Sequence, residues 1–214
     1  MSRTKADVLT EYATFLAQQG DAAQAEERYK EALAIDPHHL IALNNYAVLL
    51  SDQGRYAQAV EHCSRAIEAK SDYADAYSNR GLALYSLGDH AGAVTDQLRA
   101  LSIRPDFPEA HNNLGILLFE EGKIPDAIKH YEAALRLRPT FSQALNSLAV
   151  AWFQSGDMKK TEECLKQALE LSPRYIDAHL SYAKLLAATD RPDQAKQHYE
   201  QAVKLAPQPP EIPF

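Results

Sequence analysis

An all-α solenoid of six tandem helix–turn–helix hairpins is the fold that this 214-residue sequence predicts, and three columns of residues predict it. Prolines stand at Pro37, Pro105, Pro139, Pro173 and Pro207, each 34 or twice 34 residues from the next, with Ser71 in the missing slot. Glycines keep the same interval at Gly20, Gly54, Gly88, Gly122 and Gly156, and Asp190 closes the series. Small residues recur likewise at Ala25, Ala59, Ala93, Ala127 and Ala195, with Thr161 the exception. A fixed period of this size marks an array of identical supersecondary units, which offers a long surface rather than a closed pocket. The repeats run 6–39, 40–73, 74–107, 108–141, 142–175 and 176–209, one domain over 6–209 followed by a short proline-containing tail, 210–214.

Each hairpin is justified by its own apolar spacing. The first places Leu9, Tyr12, Ala13 and Leu16 on one helical face, then Ala25, Tyr29 and Ala32 on the next. The second does so with Leu43, Tyr46, Ala47 and Leu50, then Ala59, Cys63 and Ala66, and the third with Tyr77, Gly81 and Leu84, then Ala93 and Ala100. In the fourth, His111, Leu114, Gly115 and Leu118 share a face, and Ala127, Tyr131, Ala134 and Leu135 share another. Gly122 separates these two helices, where positive φ costs glycine little, and Pro139 ends the second because its predecessor is pushed out of the α region. Gly115 and Ala127 fall where the helices cross, so that the backbones can approach, while Tyr131 and Ala134 face the next hairpin. The fifth hairpin offers Leu145, Leu148, Ala149 and Trp152, then Leu165 and Ala168; the sixth offers His179, Tyr182, Ala183 and Leu186, then Ala195, Tyr199 and Ala202. One hairpin cannot bury its apolar face alone, so stability must come from stacking.

These columns resemble the tetratricopeptide repeat (TPR) family over nearly the whole chain. That pattern asks for a large apolar residue at position 4, Leu and Gly or Ala at 7 and 8, an apolar residue at 11, Ala at 20, an aromatic at 24, Ala at 27 and Pro at 32. Arg80, Gln97, Ser71 and Thr161 depart from it without breaking the period. The resemblance implies a right-handed superhelix whose first helices line the inside, with positions 2, 5, 6, 9, 12 and 13 of each repeat exposed there.

Read in that frame, positions 5 and 6 carry Asn44, Asn45, Asn79, Asn112, Asn113 and Asn146. An amide offers a donor and an acceptor together, so such a ladder can pair with a peptide backbone whatever its side chains are. A similar array lines the groove of the TPR arm of O-linked N-acetylglucosamine transferase; the competing account is that these asparagines tie one repeat to the next. Position 9 adds Val48, Leu82, Ile116 and Val150, and position 12 adds Tyr85, Phe119 and Phe153, an apolar stripe that reads as a docking surface or, for the aromatics, as core. Asp7, Glu11, Asp52, Asp75, Glu109, Glu120 and Asp177 occupy inner slots against Lys184 as the one base, which favours a basic, apolar peptide. A carboxylate clamp for acidic chaperone tails needs bases at position 5 of one repeat and at positions 2 and 6 two repeats on. Thr10, Asp75 and Asn79 occupy the first such frame, Asn44, Glu109 and Asn113 the second, and no frame supplies a base.

Composition narrows the remaining classes. A net charge of −7 with mixed signs disfavours nucleic acid as a partner. No run approaches the ~18 apolar residues of a membrane span, and the start lacks the apolar core of a signal peptide. Cys63 and Cys164 lie three repeats apart and read as reduced thiols, as in the cytoplasm. There is no phosphate loop, HExxH pair, nucleophile elbow or CxxC, so no enzyme activity and no cofactor are expected. His62, His130 and His198 recur in alternate repeats, too far apart to share a metal, and are expected on the outer face of the second helix. A solenoid usually ends in a polar cap, but QPPEIPF after Pro207 is too short and proline-rich for a helix. The tail could fold back with Ile212 and Phe214 on the bare face, two copies could dock through the uncapped last repeat, or the chain could be the repeat portion of a longer protein. The function expected is a non-enzymatic adaptor holding a peptide in its groove; the alternatives are a substrate-recruiting arm of a larger enzyme, such as a glycosyltransferase, and a self-assembling scaffold.

Overall fold

The computed structural model describes residues 3–207, so the expectation for Ile212 and Phe214 lies outside the described residues. Twelve α-helices fill the described chain in hairpin pairs. They are α1 (Lys5–Gln18) and α2 (Ala22–Ile35), α3 (Leu40–Asp52) and α4 (Tyr56–Ala69), α5 (Ala74–Ser86) and α6 (His90–Ile103). The series continues with α7 (Pro108–Glu120) and α8 (Ile124–Leu137), α9 (Ser142–Gln154) and α10 (Met158–Leu171), α11 (Ile176–Ala188) and α12 (Pro192–Leu205). Two compact units divide the chain at Ala110/His111, inside α7.

Local chemistry sets the helix ends. Thr4 and Asp7 form a reciprocal capping box on α1, and Asp21, Asp89 and Asp157 cap second helices by accepting from the N–H three residues on. In the first hairpin the turn is made by Gly20 at φ +84°, with the Asp21 N–H donating to the Leu16 carbonyl at 3.0 Å. In the sixth hairpin Asp190 takes the same role at φ +56°, a left-handed conformation that costs a residue with a Cβ.

In the first unit, first helices of successive hairpins touch one another (α1 with α3, α3 with α5), whereas second helices do not pack together to a comparable degree. The first helices therefore form the tighter side of the stack. One apolar core runs from Ala13 through Tyr29, Leu43 and Leu50 to Ala83. It is interrupted in the third repeat, where two of the four departures from the period, Arg80 and Gln97, bring polar groups into the core and each finds partners there. Arg80 makes a two-pronged ion pair with buried Asp96 at 2.7 and 2.8 Å, and its other nitrogen reaches Ser64. Gln97, fully buried in the aromatic slot, accepts from the Ser78 hydroxyl and donates to the Ser78 carbonyl. A buried polar cluster is tolerable only when each member is paired in this way.

The second unit shows α9 against α11 in the same manner. In its first hairpin the small residue at Gly115 makes room for the Tyr131 ring of the same hairpin, which the sequence had turned toward the next one. A Cβ placed on Gly115 would lie 2.6 Å from the Tyr131 ring, so only glycine admits that ring. Thr161, in place of alanine, is buried and donates its hydroxyl to the Asp157 carbonyl at 2.8 Å.

Two of the joints between hairpins, one in each unit, share a clasp. Glu26 receives Arg55 at 2.6 and 3.2 Å, the Tyr46 hydroxyl at 2.9 Å and Lys30 at 2.7 Å. Glu162 receives Arg191 at 2.8 and 3.1 Å, Tyr182 at 3.0 Å and Lys166 at 2.9 Å. The arginine in each case does most to hold the glutamate down to about 2. Both cysteines are free; burial pushes the Cys63 thiol up to about 12 and the Cys164 thiol up to about 11.

Candidate functional site

The inner face of each unit is the side on which first helices meet. At position 5, Asn44 and Asn112 are 8% and 1% exposed, and Thr10 and Ser78 are buried too, whereas Asn146 and Leu180 are half-exposed. The expectation that Asn44 and Asn112 face a ligand is therefore corrected. Position 6 is half-exposed at Asn45, Asn79 and Asn113, as is Asn146.

In the first unit the asparagines bind one another. The Asn79 amide donates to Asn44 at 2.8 Å, Asn44 to Asn45 at 3.3 Å, and Asn45 to the Thr14 hydroxyl at 3.2 Å, which also meets the Tyr29 hydroxyl at 3.0 Å. This chain of bonds links three successive repeats, the tying role that sequence reading had set against backbone recognition. In the second unit the Asn112 and Asn146 side-chain oxygens are buried without a partner, and the Asn146 amide meets the Tyr175 hydroxyl.

Inner-face charge is mostly spent locally in the first unit. Asp75 is held by Arg104 at 2.7 and 3.2 Å, Glu11 by Arg3 at 3.1 Å, and Asp7 by the Thr4 backbone and His39, which lower it to about 2. Asp75 as a free selector of basic peptides is thus corrected: its charge is already matched. Asp52 is exposed and Glu109 half-exposed.

Of the apolar stripe, Val48 and Leu82 stand well exposed, while Ile116, Phe119, Val150 and Phe153 are half-buried. Ile116 and Phe119 pack on the cluster around Tyr131, Phe153 packs on the cluster around Leu165 and Tyr182, and Tyr85 meets His90 edge-on at 5.2 Å. The aromatics are part of the seam between helices and part of the surface.

Two depressions on the inner faces occupy the same place in the repeat. In the first unit, Thr14, Tyr29, Asn45, Val48 and Asp52 line a broad polar hollow of about 410 Å³. In the second, Val150, Phe153, Leu165, Ser181 and Lys184 line a pocket of about 210 Å³ that reaches Ala149 and Thr161 at the helix crossing. The floor differs because Leu165 stops short of where the Tyr29 ring lies. Lys184 is exposed at the rim and makes no ion pair among the described residues. Sequence reading identified Val150 and Phe153 but missed Leu165 and Ser181; the signal was the aliphatic residue in the aromatic slot of the fifth repeat.

The histidines sit differently from expectation. His62, His130 and His198 are half-buried against the first helix of their own hairpins rather than on an outer face. His62 stacks on Tyr46 at 4.6 Å, and His198 on Tyr182 at 4.5 Å. In the second unit, His111 and His130 approach at 3.0 Å between Nδ1 atoms, and His179 and His198 at 2.9 Å. Among the described residues no group of three or more metal-ligating side chains gathers, and no helix is long and apolar enough to cross a membrane.

Comparison with known proteins agrees with the helical-hairpin fold. Residues 1–88 match the middle TPR-like domain of cilia and flagella-associated protein 70, residues 81–122 a TPR repeat model, and residues 108–141 and 153–212 tetratricopeptide repeat models. None of these describes a catalytic domain. No curated protein sequence matches the chain. Among solved structures, PilF of Pseudomonas aeruginosa is similar at 21% identity and a TM-score of 0.80, over 94% of this chain and 91% of that one. PilW, a widely conserved type IV pilus biogenesis factor, gives 22% and 0.83 over 94% and 93%. A chain of the APC/C hetero-tetramer Cut9–Hcn1 gives 19% and 0.88 over 96% of this chain and 41% of that one. At such identities the likeness is one of fold. With repeat models along its length and the hairpins they describe in place, the chain belongs to the tetratricopeptide repeat family.

Proposed function

We propose that the chain is a non-enzymatic adaptor that holds a peptide segment against the inner faces of its first helices. The pocket between α9 and α11 carries this reading. It is the size of one large side chain, its walls are Val150, Phe153 and Leu165, and Lys184 stands at its rim. An apolar residue with a carboxylate close by fits that chemistry. The hollow of the first unit, with Val48 and exposed Asp52, suits a basic neighbour instead, which keeps the basic, apolar preference for that unit alone. Asn79 and Asn113 are the inner-face amides placed to meet a peptide backbone. Two unpaired thiols favour a reducing compartment such as the cytoplasm.

The test is a random-peptide selection on the whole chain, followed by binding measurements on three proteins. Leu165→Tyr, which copies Tyr29 and fills the pocket, should remove binding by the selected acidic-apolar peptides while leaving the melting curve intact. Lys184→Glu should reverse the charge preference beside the apolar anchor. Binders indifferent to both changes would sink the proposal.

A further inference from the structure

The two ends of the chain expose surfaces that every other repeat covers. On α1, Val8, Tyr12 and Phe15 are 53%, 47% and 54% exposed. The residues in the same slots of the second repeat, Ala42, Tyr46 and Leu49, are at most 7% exposed. On α12, Tyr199 and Val203 are 41% and 75% exposed, whereas the slot of Tyr199 is at most 2% exposed in all five preceding repeats. Around Tyr199 lies a depression of about 590 Å³ lined by Ala187, Lys196, Tyr199, Glu200 and Val203.

The joint between the first two hairpins shows what such surfaces are made to meet. There Tyr29 stacks on Tyr46 at 5.7 Å, with the rings inclined by 22°, and Glu26 clasps Arg55 while Lys30 stands one turn along. The repeat places Tyr199 in the slot of Tyr29 and Tyr12 in the slot of Tyr46, so each end carries one half of that stack. It also places Lys196 in the slot of Glu26, Glu200 in that of Lys30, and Asp21 in that of Arg55. All three charges are reversed together, so a lysine on the last hairpin would face an aspartate on the first.

We propose that the α12 face of one copy receives the α1 face of a second copy, reproducing the internal joint with its polarity inverted. Tyr199 stacks on Tyr12 of the second copy, Lys196 pairs with its Asp21, and Val203 and Ala187 cover its apolar α1 stripe. Such an interface is heterologous: each copy uses two different faces, so it builds rings or chains of copies instead of an isologous two-fold dimer. The same inverted polarity disfavours joining an α12 face to the first-helix face of the second or the sixth hairpin, because Lys196 would meet Arg55 or Arg191 there.

The experiment is sedimentation velocity on the whole chain over a range of concentrations, with face variants. The wild type should grow into species larger than a dimer as concentration rises. Phe15→Asp, on α1, and Val203→Asp, on α12, should each be monomeric with an unchanged helical signal, since both side chains are exposed. Mixed together they should form a one-to-one dimer, because each retains one intact face. Asp21→Lys and Lys196→Asp should each weaken association about tenfold, equivalent to about 1.4 kcal/mol, and the double variant should restore it. A wild type that stays monomeric at every concentration would overturn the proposal, as would a dimer that stops at two copies or a mixture of the face variants that remains monomeric.

Discussion

The joint between the first two hairpins and the joint between the last two share a clasp and differ in the floor of the hollow beside it. Glu26–Arg55–Tyr46–Lys30 and Glu162–Arg191–Tyr182–Lys166 agree residue for residue four periods apart. Beside the first, Tyr29 fills the helix crossing and bonds Thr14 and, through it, Asn45; beside the second, Leu165 leaves an apolar pocket with Ser181 and Lys184 above it. The difference teaches that position 24 sets the floor of the inner-face hollow, hydrogen-bonded at Tyr29 and apolar at Leu165, while the clasp holds the hairpins together in either case.

Four changes would break or sharpen that comparison. The largest effect is expected from Tyr29→Leu, which gives the first joint the floor of the second. It removes a fully buried ring and the hydroxyl that holds Thr14, and should cost about 2–4 kcal/mol in urea unfolding. A cost near zero would mean that Tyr29 is not what fills the crossing. Next come the clasps. Glu26→Gln and Glu162→Gln should each cost roughly 1–2 kcal/mol, by similar amounts in the two units.

The clasps also predict an acid limb of defined sign. Both glutamates are held near 2, below their ordinary value, so the stability they confer is full above about 4.5 and is lost as the pH falls from there toward 2. The double glutamine variant should flatten that limb in melting experiments. A smaller pH effect, below about 1 kcal/mol, belongs to the histidine pairs of the second unit. Burial lowers His130 and His198, with the partner histidine adding to it, so the fold prefers them neutral. The unfolded chain takes up the proton first, and stability present above about 6.5 is lost as the pH falls below it. His111→Leu with His179→Leu, copying Leu43 opposite His62, should reduce that loss; an unchanged profile between pH 7.5 and 5.5, values set by the ordinary histidine range, would exclude the pairs as its cause. Smallest is Asp190→Gly, which should raise stability by about 0.5 kcal/mol by relieving the one left-handed non-glycine turn among the described residues.

Much of this was legible in the sequence because period 34 constrains backbone and crossing together. The turn at Gly20 and the need for a small residue at Gly115 follow from the columns alone, whereas the ring that Gly115 admits is Tyr131, which the columns had turned toward the next hairpin. The site was less legible for a geometric reason. Positions 5 and 6 are adjacent on the helix, 100° apart, and the sequence does not say which turns inward; Asn44 and Asn45 look alike as letters yet differ in exposure. Charge failed for a related reason. Asp75 reads as groove charge until Arg104, 29 residues on, is seen to occupy it. The clasps were visible as a match between the first two and last two repeats, but only a comparison of those repeats slot by slot brings Glu26 and Arg55 together.

The two thiols have a consequence for how opening of the molecule can be timed. Cys63 lies in the first unit and Cys164 in the second, and burial keeps both protonated at neutral pH, where a thiol is a poor nucleophile. Alkylation of fully buried Cys63 in native conditions therefore reports moments when the surrounding helices part, while half-buried Cys164 reports them above a basal rate set by its partial exposure. Mass spectrometry of the two tagged peptides would read those moments separately, giving each half of the chain its own clock without any engineered label.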